Sequence, residues 1–454
     1  MHQTTLPAVH TVTVRDVKYA TWIAFFAWTF AVYDFVLFGN LLPVLAADLG
    51  WSESQATSIN TWVTVGTALV AFAIGPIIDR VGRRKGIIIT VLGAAIASLL
   101  TAVAGWVAGV VAGVGIVFLV LVRAMAGLGY AEQAVNAAYL SEMFAHVYND
   151  PVKARRRGLI YSLVQSGWPV GAVIAAISVY VLYPLGGWAL AFMVAAVPSI
   201  VIAVAARKLK ESPQFLNLQS ARSLLAAGNV EAARQYAKTA GVELDEEDKT
   251  PLVEAFKGES LRSTLVISSA MLLNWMGILT FAILGTSLLT SPSGKGIEFN
   301  NALVTLAISN ATALAGYLFH GWLGDKIGRR NAIAIGWFFC AASFAGMLAL
   351  PAGSTGAVIA LYSAGLFFLL GPFAALLFFN GESFPAHTRA TGGSIINASS
   401  QVGAVIAGAI ITASLAAGQS WTTVALWWGC APILLSAVMI LFARHVSPTH
   451  VRTD

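Results

Sequence analysis

Long apolar runs recur along this chain of 454 residues, and they constrain its fold more than any other feature. Many of them reach the roughly 20 residues that an α-helix needs to cross the hydrocarbon core of a bilayer. Charged residues make up 11% of the chain, against about 25% in soluble globular proteins, so they cannot cover the surface of a water-soluble fold of this size. The pattern predicts an all-α membrane protein with twelve transmembrane helices.

The twelve predicted spans form two groups of six, separated by one long polar segment. Spans one to six cover residues 20–45, 56–78, 86–106, 114–139, 159–183 and 186–206. Spans seven to twelve cover residues 263–290, 301–323, 332–350, 356–380, 392–416 and 421–443. These bounds predict an N-terminal six-helix bundle (1–206), a cytoplasmic linker with short helices (207–262) and a C-terminal six-helix bundle (263–454).

The placement of basic residues predicts the orientation. Every Lys and Arg except Lys295 and Arg123 falls on the side of the predicted membrane that holds the N-terminus. Because Lys and Arg are enriched in cytoplasmic loops, we expect both termini to be cytoplasmic. The first 19 residues lack the apolar region of a cleavable signal peptide, so span one is expected to act as the insertion signal.

Several functional classes are disfavoured by the sequence. The net charge is +6, and the basic residues behind it lie in short loops between apolar runs. This placement indicates that they set the membrane orientation and do not bind nucleic acid. The chain has no Walker-type loop, no His/Cys metal cluster and no nucleophile elbow, so we expect no enzyme activity, no metal and no cofactor. Cys340 and Cys430 lie in apolar runs and are expected to be small buried side chains. The acidic run 245–248 is expected to be a solvated face, with a regulatory role as the alternative.

Two loops carry the same motif at matching places in the two groups of spans. The loop after span two reads Gly75-Pro-Ile-Ile-Asp79-Arg80-Val-Gly82-Arg83-Arg84, and the loop after span eight reads Gly321-Trp-Leu-Gly-Asp325-Lys326-Ile-Gly328-Arg329-Arg330. Internal symmetry of this kind marks many secondary transporters. A carboxylate at a helix end among arginines can latch one conformation, although a single loop of this kind also fits a plain tight turn.

A second pair of polar clusters follows the same symmetry. Glu142 follows span four and precedes Arg155-Arg156-Arg157, whereas Glu382 follows span ten and precedes Arg389. We therefore predict a conformational gate that consists of Gly75, Asp79, Arg80, Gly82, Arg83, Arg84, Glu142, Gly321, Asp325, Gly328, Arg329, Arg330, Glu382 and Arg389.

The paired loops resemble the signature of the major facilitator superfamily. The segment Arg123-Ala-Met-Ala-Gly127-Leu-Gly129 is similar to the R-x-x-x-G-x-G helix of that superfamily, and Lys210-Glu211-Ser212-Pro213-Gln214-Phe215 resembles its "sugar and other transporter" branch. The resemblance implies two pseudo-symmetric six-helix bundles, alternating access and a monomer. Within the bacterial metabolite–proton symporters, which this chain resembles most, it implies a bacterial inner-membrane location, lipid contact and protons as the coupling ion.

Three ionisable side chains lie well inside predicted spans: Asp34, Arg123 and Glu132. A charge at such depth costs about 2.5–3.5 kcal/mol even on the lenient insertion scale, so these residues usually mark function. At about 1.5 Å per residue, Arg123 and Asp34 lie roughly 14 Å and roughly 16 Å below the outer ends of their spans. We predict that they pair, and that protonation of Asp34 couples protons to transport; a purely structural ion pair in a uniporter is the alternative. Glu132 is predicted to be a second proton site or part of the gate, or else a helix-packing residue.

The substrate cavity is predicted from polar and aromatic residues of the spans that commonly line it in the resembled fold. They are Tyr33, Gln165, Trp168, Asn274 and Asn397. Span seven reads Leu273-Asn274-Trp275-Met276-Gly277, which departs from the polar stretch typical of sugar carriers. We therefore expect proton-coupled uptake of a small organic anion, such as an aromatic, sialic or hydroxy-carboxylic acid. A sugar or polyol carrier, a drug exporter and a non-transporting membrane sensor are the alternatives.

Overall fold

The fold is known from a computed structural model that describes residues 7–148, 160–242, 251–384 and 389–444. Eleven helices in these ranges are long and apolar enough to cross a bilayer. One of them, Ile160–Ala206, has 47 residues, about 70 Å of helix against a hydrocarbon core of about 30 Å. Its backbone leaves the helical conformation at Gly186 and Gly187, so it supplies both span five and span six. The prediction of twelve membrane helices is thereby confirmed.

The spans extend beyond the apolar runs that predicted them. Spans one to six are Val14–Leu49, Glu53–Val81, Arg83–Val110, Ala112–Met125 continued by Gly127–Val147, and the two halves of Ile160–Ala206. Spans seven to twelve are Gly258–Gly277 continued to Thr290, Phe299–Ile327, Arg329–Ala349, Thr355–Leu370 continued by Phe373–Ser383, Arg389–Ala416, and Trp421–Ala425 continued to Ile440. Polar caps lengthen them: Thr13 and Asp16 form a capping box at the start of span one, and Ser52 and Gln55 form another at the start of span two.

Four spans that the sequence predicted as continuous helices contain a break or a wide turn. Span four is interrupted at Ala126, and span ten at Gly371-Pro372, where proline cannot donate the next helical hydrogen bond. Spans seven and twelve contain π-helical turns at Ile278–Ile283 and Leu426–Cys430. Such turns occur mainly at functional sites, and both lie in the C-terminal half of the chain.

The two halves meet along three pairs of spans: one with seven, two with eleven, and five with eight. We call the side of the membrane that holds Val14 and the 207–262 segment the linker side, and the other the opposite side. Near the opposite side, a Cβ atom on Gly39 would lie 2.3 Å from the backbone oxygen of Ile283. The hydroxyl of Thr286 donates to Asn40 Oδ1 there at 3.1 Å. The halves are therefore sealed together on the opposite side.

We expect Gly39→Ala to open this seal. Overpacking typically costs about 1–3 kcal/mol. Because the contact exists only in the sealed state, that cost should favour the conformation open on the opposite side by about 5- to 150-fold. The check is maleimide labelling of a cysteine placed at Ala56, which is 5% exposed; the native Cys340 and Cys430 are buried.

Gly393→Ala is the matched control, because a Cβ on Gly393 meets no atom within 4 Å. Labelling should rise with Gly39→Ala and stay unchanged with Gly393→Ala. Equal labelling in both variants would show that the Gly39 contact does not hold the seal.

The 207–262 segment contains the short helices Pro213–Ala226, Val230–Ala240 and Pro251–Ala255. The first two pack against each other around Tyr236, which is fully buried. Asn217 Oδ1 accepts hydrogen bonds from the His10 backbone at 2.9 Å and from the Tyr236 hydroxyl at 3.0 Å. These helices are thus fastened to the N-terminal end of the chain. The boundaries at residues 206 and 262 remain a prediction, and the acidic run 245–248 lies outside the described residues.

Candidate functional site

A small cavity lies between the two halves near the middle of the spans. Its volume is about 40 Å³, enough for a few water molecules and too small for an organic acid unless side chains move. It is lined by Trp28, Tyr130, Gln133, Gln165, Trp168, Trp275, Ile278, Tyr317, Leu370 and Phe373. Because both halves contribute to this lining and both are sealed on the opposite side, the cavity sits where an alternating-access carrier holds its substrate.

Four aromatic side chains form the wall of this cavity, and we call them the aromatic cage: Trp28, Tyr130, Trp168 and Trp275. The rings of Trp28 and Trp168 are 6.0 Å apart, and Trp275 lies 6.0 Å from Tyr130 and 6.2 Å from Trp168, nearly edge-on to both. These spacings lie within the range of favourable aromatic pairs. The contacts of Trp275 cross from the C-terminal half to the N-terminal half, so the cage depends on how the two halves meet.

Two donors of the cage lack a hydrogen-bond partner. The indole N–H groups of Trp28 and Trp275 are buried, and neither is paired in the described part of the chain. A buried polar group left unpaired costs about 1–3 kcal/mol. Beside them, Gln133 Nε2 donates to Gln165 Oε1 at 2.9 Å, and Gln165 Nε2 donates to the Tyr161 hydroxyl at 2.7 Å. The cavity therefore combines ring surfaces with amide groups and two unused donors.

Asp34 and Arg123 form a buried ion pair inside the N-terminal half. Arg123 Nη1 lies 3.2 Å from both carboxylate oxygens of Asp34, and Nη2 donates to the Asp34 backbone oxygen at 3.2 Å. Exposure is 1% for Arg123 and 3% for Asp34. The Ser98 hydroxyl donates to Asp34 Oδ1, and the rings of Phe38 and Phe192 lie 5.1 and 5.3 Å from the guanidinium carbon. The depth estimate thus placed the two residues correctly, while their role in proton coupling remains a prediction.

Glu132 lies in a separate polar contact on Gly127–Val147. Asn136 Nδ2 donates both to Glu132 Oε1 and, at 3.1 Å, to the Ala24 backbone oxygen of span one. Glu132 is fully buried, and its second oxygen has no hydrogen-bond partner among the described residues. Glu132 and Asn136 are four residues apart on the same helix, so their side chains lie on one face and are in contact. The assignment of Glu132 as a proton site or gate residue remains a prediction.

The repeated loops form matching ion pairs at the linker side. Arg83 Nε lies 3.2 Å from Glu142, and Arg329 Nε lies 2.9 Å from Glu382. Each carboxylate follows span four or ten, so each pair joins the loop after the second span of its half to the end of the fourth. Arg329 also lies 3.6 Å from Asp325 and stacks on the Phe378 ring at 4.3 Å.

Other predicted gate residues sit in the same loops. Gly82 and Gly328 have φ values of 100° and 87°, a conformation that side chains other than glycine rarely adopt. Arg80 is exposed, Gly321 faces Ala374, and Arg330 Nη1 donates to the Ala443 backbone oxygen at 3.2 Å. The backbone of Arg84 donates to Glu211 at 3.1 Å, as does that of Arg83 at 2.8 Å. The surroundings of Gly75, the side chains of Asp79 and Arg389, and residues Arg155, Arg156 and Arg157 lie outside the described part of the structure.

The structure keeps two of the five predicted cavity residues at the cavity and moves three away. Gln165 and Trp168 line it. The Tyr33 hydroxyl instead bonds to Ser178 at 2.6 Å, Asn274 is fully buried beside the cavity, and Asn397 is exposed. Tyr33, Asn274 and Asn397 do not line this cavity in the present conformation, and their assignment as substrate contacts remains a prediction.

Several residues of the site were missed in the sequence. Trp28, Tyr130, Gln133, Tyr317 and Phe373 line the cavity, and Glu211 holds the start of span three. Tyr130 and Gln133 directly follow the Arg123–Gly129 motif, and Glu211 lies in the motif that resembles the transporter branch. Proximity to these motifs was the signal that could have identified Tyr130, Gln133 and Glu211.

We expect Glu382→Gln to slow uptake about three- to tenfold with little change in stability. The pair with Arg329 is partly exposed, and such pairs contribute about 0–1 kcal/mol. The Arg329–Glu382 ion pair joins two spans that must shift during transport, so loss of the pair should change the rate of uptake. Initial uptake rates at saturating substrate provide the check, with Glu298→Gln, an exposed carboxylate on the opposite side, as control. A charge-swapped Arg329→Glu/Glu382→Arg double variant should recover part of the rate; no difference between Glu382→Gln and Glu298→Gln would contradict this role.

The curated relatives of this chain include bacterial transporters. It is 24% identical over 436 residues to the niacin transporter of Acinetobacter baylyi, with 93% of each chain covered. It is 24% identical over 432 residues to the gallate transporter of Pseudomonas putida, with 93% of this chain and 91% of that protein covered.

Fold and family are shown by two further matches. The crystal structure of a D-xylose–proton symporter superposes with a TM-score of 0.66 at 17% identity, covering 96% of this chain and 100% of that one, which establishes the fold alone. The family model of the Major Facilitator Superfamily matches residues 20–407. With twelve spans in two halves, paired loops of one motif and a cavity between the halves, this chain belongs to the Major Facilitator Superfamily and is a multi-pass membrane transporter of a small molecule, not an enzyme.

Proposed function

We propose that this transporter takes up a small aromatic carboxylic acid together with protons. The observation that carries the proposal is the aromatic cage in the cavity that both halves line near the middle of the spans. Aromatic rings stack or meet edge-to-face with favourable energy at centroid distances of about 4.5–7 Å. A substrate ring that enters between Trp168 and Trp275 gains such contacts on two sides.

The relatives support this substrate class. Niacin and gallate, named for the two transporters above, each consist of one aromatic ring that bears a carboxyl group. A cage of four aromatic side chains matches the ring, and Gln133 and Gln165 offer amide groups to polar substituents. The sialic and hydroxy-carboxylic acids considered from the sequence have no aromatic ring, and the cage gives them no comparable contact.

Transport proceeds by alternating access between the two halves. In the present conformation the halves are sealed on the opposite side, so the next opening of the cavity is toward the linker side. The Lys and Arg distribution supports a cytoplasmic linker side and hence both termini in the cytoplasm. The protein then acts in a bacterial inner membrane, as a monomer, and releases its substrate into the cell.

Proton coupling is assigned to Asp34. Arg123 compensates the Asp34 carboxylate in a site with almost no solvent exposure. When Asp34 binds a proton, the pair loses its Coulomb attraction and leaves the Arg123 charge uncompensated, which favours a different arrangement of spans one and four. Protons are the coupling ion in this scheme, and no further cofactor takes part. Glu132 is kept as a second candidate proton site, because its buried carboxyl group contacts Asn136, which in turn donates to span one.

The substrate assignment is tested by competition for uptake into cells or proteoliposomes. Labelled niacin or gallate is supplied with an excess of benzoate, a hydroxybenzoate, xylose or lactate. We expect the aromatic acids to compete and the sugar and aliphatic acid to have no effect. Trp168→Ala should weaken competition by the aromatic acids about tenfold or more. Competition by xylose without competition by any aromatic acid would overturn the proposal.

A further inference from the structure

The central cavity has more hydrogen-bond donors than it uses. Trp28 and Trp275 are 2% and 5% exposed, both line the cavity, and both indole N–H groups lack partners in the described residues. An acceptor oxygen that enters the cavity would satisfy these donors. A carboxyl or carboxamide group on an aromatic ring carries such an oxygen, so the cage and its donors fit one functional group attached to one ring.

The same lining contains no group that compensates a charge. None of the ten lining residues, all of which the structure describes, is Lys, Arg, His, Asp or Glu. Arg123 is a buried cation, but it does not line the cavity, and both of its terminal nitrogens already donate to Asp34. A carboxylate taken out of water into this cavity would lose its hydration without gaining a cation, whereas an uncharged carboxyl group would lose far less.

A second cavity lies on the opposite side, beyond the contact between Gly39 and Ile283, and its lining also contains no cation. Its volume is about 260 Å³, and it is lined by Pro43, Ala46, Ala47, Trp51, Glu53, Ala56, Ser287, Thr290, Ser291, Pro292 and Trp421. Glu53 is the one ionisable residue of this described lining, and its carboxylate repels an anion. The lining of this second cavity therefore contains no cation that attracts a carboxylate.

We propose that the central cavity binds its aromatic acid in the uncharged, protonated form. This inference rests on the proposed function and specifies the species that the site accepts. On the opposite side the carboxylate binds a proton from solution, the neutral acid crosses, and on the linker side it releases that proton to water. If Asp34 carries a second proton, each carboxylate enters with two protons, and the cycle moves one net positive charge. If the anion instead entered with the Asp34 proton alone, the cycle would move no net charge.

The test is calorimetric binding of meta-substituted benzoic acids of graded acidity to the purified full-length protein at one fixed pH near 7. Benzoic acids avoid the pyridine nitrogen of niacin, which titrates separately. If only the neutral acid binds, the apparent Kd rises about tenfold for each unit by which the carboxyl pKa of the ligand falls, because the competent fraction falls by that factor. Because the pH is the same for every ligand, protonation of the protein affects all members of the series alike. Between pH 6 and 8 the affinity for benzoic acid should fall about 100-fold more than the affinity for benzamide, because only benzoic acid loses its neutral form.

An equal Kd across the acid series, or acids that bind while benzamide does not, would overturn the inference and leave aromatic acid transport intact. Failure of every aromatic acid and of benzamide to bind would overturn both this inference and the proposed function. A second readout is the effect of an inside-negative membrane potential, which should raise the uptake of the acids. Uptake that depends on the pH gradient but not on the potential would contradict entry of the neutral acid with an additional proton.

The donors are tested with Trp275→Phe, which keeps a ring in the cage and removes one N–H group. We expect the apparent Kd for benzoic acid and for benzamide to rise about three- to tenfold. Trp337→Phe is the matched control, because Trp337 also has a buried, unpaired N–H group but does not line the cavity. Equal effects of the two substitutions would show that the Trp275 donor does not contact the ligand.

Discussion

The Asp34→Asn variant is expected to lose proton-driven accumulation of substrate by about 100-fold or more while it still binds substrate. Asparagine keeps the shape of the side chain and its contacts to Ser98 and Arg123. Its amide group cannot bind and release a proton as a carboxyl group does. Without that step the pH gradient has no means to bias the two conformations. The measurement is accumulation of labelled aromatic acid in proteoliposomes with an imposed inward pH gradient, beside calorimetric binding.

Asp48→Asn is the matched control for this prediction. Asp48 lies on the same helix as Asp34 but is exposed near the opposite end. The Asp48→Asn variant should accumulate substrate as the unchanged protein does. If Asp34→Asn accumulates substrate normally under the gradient, Asp34 is a structural partner of Arg123 and proton coupling has to be assigned elsewhere, with Glu132 as the next residue to test.

Arg123→Leu is expected to destabilise the protein by about 3–5 kcal/mol, because it leaves the Asp34 carboxylate buried without its cation. The double variant Asp34→Asn/Arg123→Leu should regain most of that loss, since no charge then remains unpaired at this position. Thermal unfolding in detergent, followed by circular dichroism, measures both effects as shifts of the apparent melting temperature.

The control for this pair of variants is Arg222→Leu, which removes an exposed arginine from the helix Pro213–Ala226. Substitutions at such positions usually change stability by no more than about 0.5 kcal/mol. If the double variant is as unstable as Arg123→Leu alone, the destabilisation comes from the packing of Arg123 against Phe38 and Phe192 rather than from the unpaired carboxylate.

The spans and the ion pair could be predicted because their signals are one-dimensional. Hydropathy counts apolar residues along the chain, and the gate loops repeat at identical spacing, so neither requires knowledge of packing. The Asp34–Arg123 contact followed from depth, which depends only on residue counts from the helix ends. A count along the chain also explains why the span bounds fell short, since polar caps extend a helix beyond its apolar run.

The cavity lining could not be predicted in full because it depends on helix rotation. Asn274 was chosen and its neighbour Trp275 lines the cavity, a difference of about 100° around the helix. The break at Ala126 and the π-helical turn at Ile278–Ile283 change the rotation of spans four and seven, and no pattern in the sequence predicted them. The cage also joins residues from four spans, whose meeting is a property of the packed halves.

The gate shows a similar limit. The sequence placed Glu142 and Glu382 before basic residues that open the next spans, and the side chains of those residues lie outside the described part of the chain. The structure shows that the two carboxylates also bind Arg83 and Arg329 of the repeated loops, which the sequence did not indicate. The structure thereby joins two motifs that the sequence presented as separate.

The central claim is that a pH gradient drives an aromatic acid into the lumen through this protein, and reconstitution tests it directly. Proteoliposomes are loaded at high pH and diluted into low or equal pH with labelled gallate, with protein-free liposomes as the blank for passive diffusion. The account predicts accumulation above the blank only under the inward gradient, and its collapse when a protonophore is added. Protein-dependent uptake that is equal with and without the gradient, and that never exceeds equilibration, would contradict it.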